Sequence, residues 1–234
     1  MKKALIIIVS ILVVIVLVAG YFGFVPGISQ AMGANKAKDL GIKFTQEDLD
    51  KARQIANIDL QDLSEGNTSL GFSGQQEITG DYTSEMITAM ISSAKYKYYP
   101  LSNTQVKINN DGTVEAAGNV NIAKLVKWSN DLGADKNVTD QASSYVGTIS
   151  ANPSFYLKGK MDVANNQINL NLSHAKISRF SAPSSMINQY QGQLADFVEQ
   201  RIARVPGMDI KSATFTDGKL KIDGTYPAIE KSTK

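Results

Sequence analysis

The chain has 234 residues, of which 43% are hydrophobic and 20% charged, and its 24 basic and 22 acidic residues leave a net charge of +2. No basic block of the kind that follows a phosphate backbone appears, which argues against nucleic acid as a partner. Cysteine is absent. This excludes a disulfide scaffold, a cysteine-ligated metal, a thiol nucleophile and a lipid anchor on cysteine.

The N-terminus predicts a membrane anchor. Lys2 and Lys3 precede 22 uncharged residues, Ala4–Val25, and a helix of that length covers about 33 Å, enough to cross a bilayer core. The two lysines mark the cytoplasmic side, so the remainder is expected outside the cytoplasm, in a prokaryotic cell envelope. A signal peptide cleaved after the small residues at 29–31 is the competing interpretation. We therefore expect residues 1–25 to form a single-pass anchor that contacts the lipid bilayer through residues 4–25.

The exported part begins with a small and polar stretch, 26–39, which predicts a juxtamembrane linker. One domain is expected over 40–234, with a possible helical subregion at 40–100 and a sheet-rich region at 101–228. Thr45 is a candidate N-cap of a helix at 45–57, and a second helix is expected from about Ser84. Residues 63–74 read as a loop and 75–82 as a weak strand.

Three β-hairpins are predicted in the second half of the chain. Apolar residues alternate over 104–122, 155–177 and 209–226. The turns fall at Asn109–Gly112, Asn165–Asn166 and Asp217–Gly218, residue types that accept the left-handed backbone of tight turns.

Helical patterns separate the hairpins, at 121–133, at 138–150 and most clearly at 183–207. In the last one, apolar residues recur with a helical period: Met186, Ile187, Tyr190, Leu194, Phe197, Val198 and Ile202. Gly192 interrupts it, as a closely crossing strand would require. Asp196 and Glu199 lie away from the apolar stripe and predict a solvated face. The fold class is therefore expected to be α+β: an N-terminal transmembrane helix, then an antiparallel sheet of hairpins curved around a long C-terminal helix.

The search for catalytic chemistry gives no candidate. With one histidine and no cysteine a zinc site is improbable, and Asn109–Glu115 fails the spacing of a calcium loop. No nucleophile motif or phosphate-binding loop appears. We expect no catalytic residue, no metal and no cofactor, and thus no enzyme. The lone histidine, His174, lies where the apolar phase of a strand switches, which predicts a β-bulge and a structural role.

Small residues on the predicted strands, Ala116, Gly118, Gly159 and Gly224, have two interpretations: they admit the helix, or they leave a slot for an acyl chain. The second gives a candidate ligand site consisting of Ala116, Gly118, Gly159, Met186, Tyr190 and Phe197. The predicted function is a membrane-anchored, non-catalytic envelope protein that binds an apolar ligand such as a lipid or acyl chain. The alternative is a structural or adaptor subunit that binds another envelope protein through a strand edge or the helix at 45–57.

Overall fold

A computed structural model describes residues 2–23, 25–64, 69–131 and 152–233. Six helices lie in these ranges: α1 (Lys2–Phe22), α2 (Pro26–Ala31), α3 (Gln46–Ala56), α4 (Ser84–Ser92), α5 (Ile122–Asp131) and α6 (Ser184–Arg204). The strands are β1 (Asp59–Asp62), β2 (Leu70–Ser73), β3 (Gln76–Thr83), β4 (Leu101–Ile108), β5 (Val114–Val120), β6 (Ser154–Ala164), β7 (Gln167–Ile177), β8 (Phe180–Ser181), β9 (Asp209–Thr216), β10 (Lys219–Tyr226) and β11 (Ile229–Ser232). Within these ranges, no helix combines the length and the hydropathy that crossing a membrane requires.

The larger sheet is a strongly curled antiparallel half-barrel with the strand order β3-β10-β9-β6-β5-β4. The strand β7 pairs with β6 along almost its whole length. The strand β7 occupies one edge of β6. The strands β5 and β9 pair with successive parts of its other edge. Val163 shows this arrangement, since it pairs with Ile168 of β7 and with Ala213 of β9. The α+β class is thus confirmed, and the sheet is curved as predicted.

A smaller sheet has the order β1-β11-β2. The last strand, β11, lies between the two others, parallel to β1 and antiparallel to β2. No pattern in the sequence predicted β11, and the loop predicted at 63–74 is wrong at its end, where Leu70–Ser73 form β2. A four-residue strand is too short to carry a recognisable alternation, so its pairing comes from tertiary contacts.

The three predicted hairpins are confirmed as β4–β5, β6–β7 and β9–β10. The turn residues Asn165 and Asn166 have φ of 50° and 67°, and Asp217 has 53°, the left-handed values expected of tight hairpins. The predicted cap of α3 is also present, because the Thr45 side chain accepts from the backbone of Asp48 while the Asp48 side chain accepts from that of Thr45. The helix predicted at 138–150 lies outside the described residues.

Two apolar clusters adjoin each other at β10, where Leu220 and Ile222 pack against both. In one, α3 and α4 cover β3 and β10, with Ala52, Ile78, Tyr82 and Met86 buried. In the other, α6 covers β6 and β9, with Val163, Ile202, Ile210 and Ala213 buried. The half-barrel therefore has helices on more than one part of its surface, and α6 is one of them.

The helix α6 is not the long central element that the sequence predicted. It has 21 residues, of which only Ile187 and Ile202 are fully buried. It lies along the outer edge of β7, where Glu199 Oε1 accepts from the Ile168 amide at 2.7 Å. The sequence predicted a solvated face for Glu199, and this prediction is wrong because its side chain bonds to β7. The prediction that a strand crosses closely at Gly192 is also wrong. A Cβ built on Gly192 would have no neighbouring atom from another element within 4 Å.

The segment predicted as a linker, 26–39, is packed against the domain. It contains α2 and then a turn in which Ala34 is buried, and Leu40, directly after the segment, is buried as well. Side chains of the sheet hold its backbone: the Ser154 hydroxyl donates to Ala34 O at 3.1 Å, and the Asn119 amide donates to Asn35 O at 2.6 Å. The end of α1 is therefore connected to the sheet through a fixed segment.

Candidate ligand-binding face of the last helix

One face of α6 carries apolar side chains that the sheet does not cover. At about 100° per residue, Met186, Tyr190, Leu194 and Phe197 fall within roughly 80° of one another around the helix axis, and Arg201 falls in the same sector. Met186, Tyr190 and Leu194 are 39%, 50% and 38% exposed. We call these five residues the outer face.

The inner side of α6 explains why the outer face stays uncovered. Ile187, Val198 and Ile202 point towards β7 and β9 and pack there. Gln191 and Glu199 share this side, where their side-chain oxygens accept from the amides of β7. A helix in a globular domain normally has one apolar stripe and polar residues elsewhere. The apolar residues of this helix form one stripe about 160° wide. Its inner side packs on the sheet, while Met186, Tyr190 and Leu194 on its outer side stay exposed.

The outer face leads into an aromatic cluster between α5, α6 and the smaller sheet. Leu70 and Tyr96 are buried there, and partly buried aromatic rings surround them: Phe72, Tyr98, Tyr99, Trp128 and Phe197. The rings of Trp128 and Phe197 are tilted against each other, with centroids 6.4 Å apart. Partly buried aromatic rings keep apolar surface in contact with water, which is typical of sites that take up apolar ligands.

At the end of the outer face lies Arg201, with Tyr226 and Glu230 nearby. The guanidinium carbon of Arg201 is 4.7 Å from the centroid of the Phe72 ring. Burial lowers the pKa of Arg201, raises that of Glu230 and raises that of Tyr226 to about 12. All three side chains are half-buried.

The opposite end of α6 follows the part of the domain that touches α1. Arg179 stacks on the ring of Tyr21, 4.3 Å from its centroid, and also donates to Met32 O. Ile177 and Phe180, which pair across the turn between β7 and β8, are exposed. Apolar side chains are therefore exposed both where the domain meets α1 and along the helix that follows.

The strongest polar network lies elsewhere, on β5 and β6. Glu115 accepts from the Tyr156 hydroxyl at 2.7 Å and from Lys38 Nζ at 3.2 Å, and Lys38 Nζ also lies 3.8 Å above the Tyr156 ring. The hydrogen bond from Tyr156, followed by those from Lys38 and Asn109, lowers the pKa of Glu115 to about 2, although burial opposes the shift. A carboxylate so fully paired is suited to hold structure rather than to transfer protons.

A second paired carboxylate is Asp131, at the end of α5. Burial acts to raise its pKa, but hydrogen bonds from Lys127, Ser69 and Tyr96 outweigh burial and lower it. The Ser69 hydroxyl donates at 2.6 Å and Lys127 Nζ lies 2.8 Å away. These contacts fix the wall of the aromatic cluster, because Ser69 adjoins Leu70 and Tyr96 is one of the buried rings.

A shallow groove of about 300 Å³ borders the packed segment, lined by Asn35, Lys36, Ala37, Lys38, Asp39, Asn103, Gln105 and Asn119. Its amides already bond to protein atoms: Asn119 donates to Asn35 O and accepts from Asn103, and Gln105 accepts from the Leu40 amide. We interpret it as the seam that holds the segment in place.

Searches of protein-family models, of curated proteins and of solved structures found no match to this chain. The site is therefore argued from its geometry alone. Across the parts of the chain that the structure describes, no three His, Cys, Asp or Glu side chains converge as they would around a metal ion.

The six predicted ligand residues fall into two groups that lie on different elements. Met186, Tyr190 and Phe197 share the outer face of α6, while Ala116, Gly118 and Gly159 lie on β5 and β6. The space beside the two glycines is filled by protein. A Cβ on Gly118 would lie 2.7 Å from Thr104 Oγ1, and one on Gly159 would lie 2.9 Å from Leu172 Cα. The helix α6 lies mainly along β7, and on β6 its Ile202 packs with Val163 and not with Gly159.

Sequence reasoning missed Arg201, Trp128 and Phe72 as members of one site. They come from α6, α5 and β2, elements that are distant in the chain and meet only through the smaller sheet. One signal was available. Arg201 continues the spacing of Met186, Tyr190, Leu194 and Phe197, so a helical projection of α6 would have placed a basic residue at the end of the apolar sector.

Proposed function

We propose that this is a membrane-anchored, non-catalytic protein of the cell envelope whose extracytoplasmic domain binds an apolar ligand, a lipid or an acyl chain. The N-terminus lies in the cytoplasm and the domain lies outside. The observation that carries the proposal is the uncovered outer face of α6, which continues into a partly buried aromatic cluster.

The N-terminal segment supports membrane anchoring. Residues 4–25 carry no charge and follow Lys2 and Lys3, the arrangement expected of an anchor with its N-terminus in the cytoplasm. The side chains of Ile11–Val18 are between 42% and 57% exposed. Such a continuous apolar surface needs a cover, and a bilayer supplies one.

The outer face supports an elongated apolar ligand. From Met186 to Arg201 the helix rises about 22 Å, somewhat more than the roughly 15 Å thickness of one leaflet of a bilayer core. An extended acyl chain can therefore lie along the whole face. Its entry would be near Ile177 and Phe180, the exposed apolar residues beside the end of α1.

An adaptor role is the second candidate, and the same observation favours it. An exposed apolar helix face also suits the surface of another protein. One of the two surfaces predicted for an adaptor is a free strand edge. At β7 this edge is less accessible, because α6 covers it and accepts hydrogen bonds from two of its amides. The strand β3 still forms an edge of the larger sheet, and the outer face is a further surface to which a protein partner would bind.

The test is photo-crosslinking of the full chain in phosphatidylcholine nanodiscs that contain a lipid with a diazirine on its acyl chain. We expect labelled peptides from α6, and at least a five-fold loss of this labelling in the double variant Tyr190→Asp/Leu194→Asp. The matched control is Gln189→Asp/Gln200→Asp, which adds the same charge at two exposed positions of the same helix and should keep the labelling.

The possible outcomes separate the two candidates. Labelling of α6 that is equal in the two double variants would contradict binding at the outer face. If lipid labels only α1 in the wild-type chain, while a bifunctional crosslinker joins α6 to another envelope protein, the adaptor role is supported instead.

A further inference from the structure

Arg201 is a charged group that lacks the partner its position requires. Its guanidinium is half-buried and stacks on Phe72, and no hydrogen bond or ion pair joins it to another described residue. A guanidinium withdrawn from water normally has an acceptor, since leaving it unpaired costs free energy. By contrast Arg204, one turn further on, is exposed to water.

The neighbouring polar side chains do not satisfy Arg201. Glu230 lies directly opposite Phe72 in the pairing of β11 with β2, yet it forms no ion pair with Arg201 within 4.0 Å. Burial raises the pKa of Glu230 while the charge of Arg201 lowers it, and burial raises the pKa of Tyr226 to about 12. A hydroxyl is a hydrogen-bond donor, so Tyr226 and Arg201 can both donate to an acceptor placed between them.

The position of Arg201 at the end of the outer face indicates the chemical class of this acceptor. Phe197 precedes it by one helical turn and contacts Trp128, so the cation borders an aromatic wall. A guanidinium binds carboxylates and phosphates with two parallel hydrogen bonds and tolerates an aromatic surface better than an ammonium does. A ligand that matches both features has an apolar chain with an anionic end.

We propose that Arg201 binds the anionic head group, such as a carboxylate, of a single-chain amphiphile whose chain lies on the outer face of α6. The inference rests on the proposed function and adds the chemical class of the ligand and its direction. The head group lies at the Phe72 end, and the chain runs past Phe197 and Leu194 towards Met186.

The experiment uses Trp128, the only tryptophan of the chain, as a reporter. Full-length protein in phosphatidylcholine nanodiscs is titrated with 9,10-dibromostearate and, separately, with 9,10-dibromostearyl alcohol, and quenching of the Trp128 fluorescence is measured. We expect the acid to bind at least ten-fold more tightly than the alcohol, in line with the strength of charge-assisted hydrogen bonds.

Variants of Arg201 test whether this residue binds the head group. Arg201→Gln should weaken binding of the acid about ten-fold or more and leave binding of the alcohol unchanged, whereas the matched Arg204→Gln should change neither. Arg201→Lys keeps the charge without the planar fork and should fall between wild type and Arg201→Gln, which also guards against a folding defect in one variant.

Each result has one meaning. Equal affinity of the wild type for acid and alcohol overturns the role of Arg201 and leaves the binding of apolar chains standing. Absence of quenching by both compounds overturns the proposed function, and the role of Arg201 with it. Displacement of the acid by inorganic phosphate alone, at concentrations where the alcohol has no effect, would show a simple anion site and overturn the amphiphile.

Discussion

Glu115 is the side chain on which most charged contacts converge in the described structure. It accepts hydrogen bonds from Tyr156, Lys38 and Asn109, and its side chain is only 13% exposed. Removing the charge while keeping the shape leaves the Lys38 ammonium without its carboxylate. We therefore expect Glu115→Gln to lower the free energy of unfolding at pH 7 by about 2 kcal/mol, measured by urea denaturation.

The same residue predicts a pH dependence. The pKa of Glu115 falls from its ordinary 4.5 to about 2 in the folded protein. A depressed pKa stabilises the fold above the unfolded pKa, so this contribution is complete above about pH 4.5 and is lost as the pH falls to about 2. The difference between wild type and Glu115→Gln should shrink over that window. In the exposed pair Glu47–Lys51, Glu47→Gln should leave the stability at pH 7 nearly unchanged, because solvent screens exposed ion pairs.

His174 and Gly159 show what sequence reasoning reaches at the scale of one residue. The predicted bulge is confirmed, since the register between β6 and β7 shifts between Lys158 and Gly159 and leaves Ser173 as the extra residue. His174 next to it is exposed, and its Nδ1 contacts only the Ser173 hydroxyl among described residues. Position 159 requires a glycine because the same bulge brings the backbone of β7 against it. A single strand pattern could not reveal this, because the crowding atoms belong to the partner strand.

At the scale of elements, α6 protects the free edge of β7. Glu199 and Gln191 accept from the amides of Ile168 and Leu172 at 2.7 and 3.1 Å. An uncovered edge strand invites pairing with another chain. The double variant Glu199→Leu/Gln191→Leu should therefore speed hydrogen exchange of these two amides at least ten-fold, measured by NMR, and promote self-association. The control Gln189→Leu/Gln200→Leu alters two exposed glutamines of the same helix; if it has the same effect on the two amides, the cap is not the cause.

The sequence predicted the elements whose local signal is strong. Hairpins with Asn-Asn and Asp-Gly turns, the Thr45 cap and the span of α6 follow from residue types at fixed spacing. It did not predict β1, β2, β8 or β11, because strands of two to four residues carry no period. It placed Met186, Tyr190 and Phe197 in one ligand site with Gly118 and Gly159, but protein atoms fill the space beside these glycines. A helical period shows which side chains share an apolar stripe but not which neighbour covers each of them, so the sequence did not show that Met186, Tyr190 and Leu194 stay exposed.

At the scale of the whole molecule, the main surprise is the segment between α1 and α3. Its small and polar composition predicted a linker, but composition does not show the backbone hydrogen bonds that fix it. Gln105 Oε1 accepts from the Leu40 amide at 2.7 Å and from the Ile42 amide at 3.4 Å, in addition to the bonds to Ala34 and Asn35. With Arg179 stacked on Tyr21, these contacts give the domain a defined orientation relative to α1.

This attachment predicts how the domain responds to truncation. A chain of residues 26–234 keeps all four hydrogen bonds to the sheet, and a chain of residues 43–234 loses them. At about 0.5–1.5 kcal/mol each they amount to roughly 2–6 kcal/mol, so the shorter chain should melt about 4–24 °C lower, measured by differential scanning calorimetry. Within the longer chain, Gln105→Ala should lower the melting temperature by several degrees, because it leaves two amides unpaired. Lys36→Ser, an exposed change in the same segment, should leave it nearly unchanged. Equal melting temperatures for the two chains would mean that residues 26–42 contribute nothing to the stability of the fold.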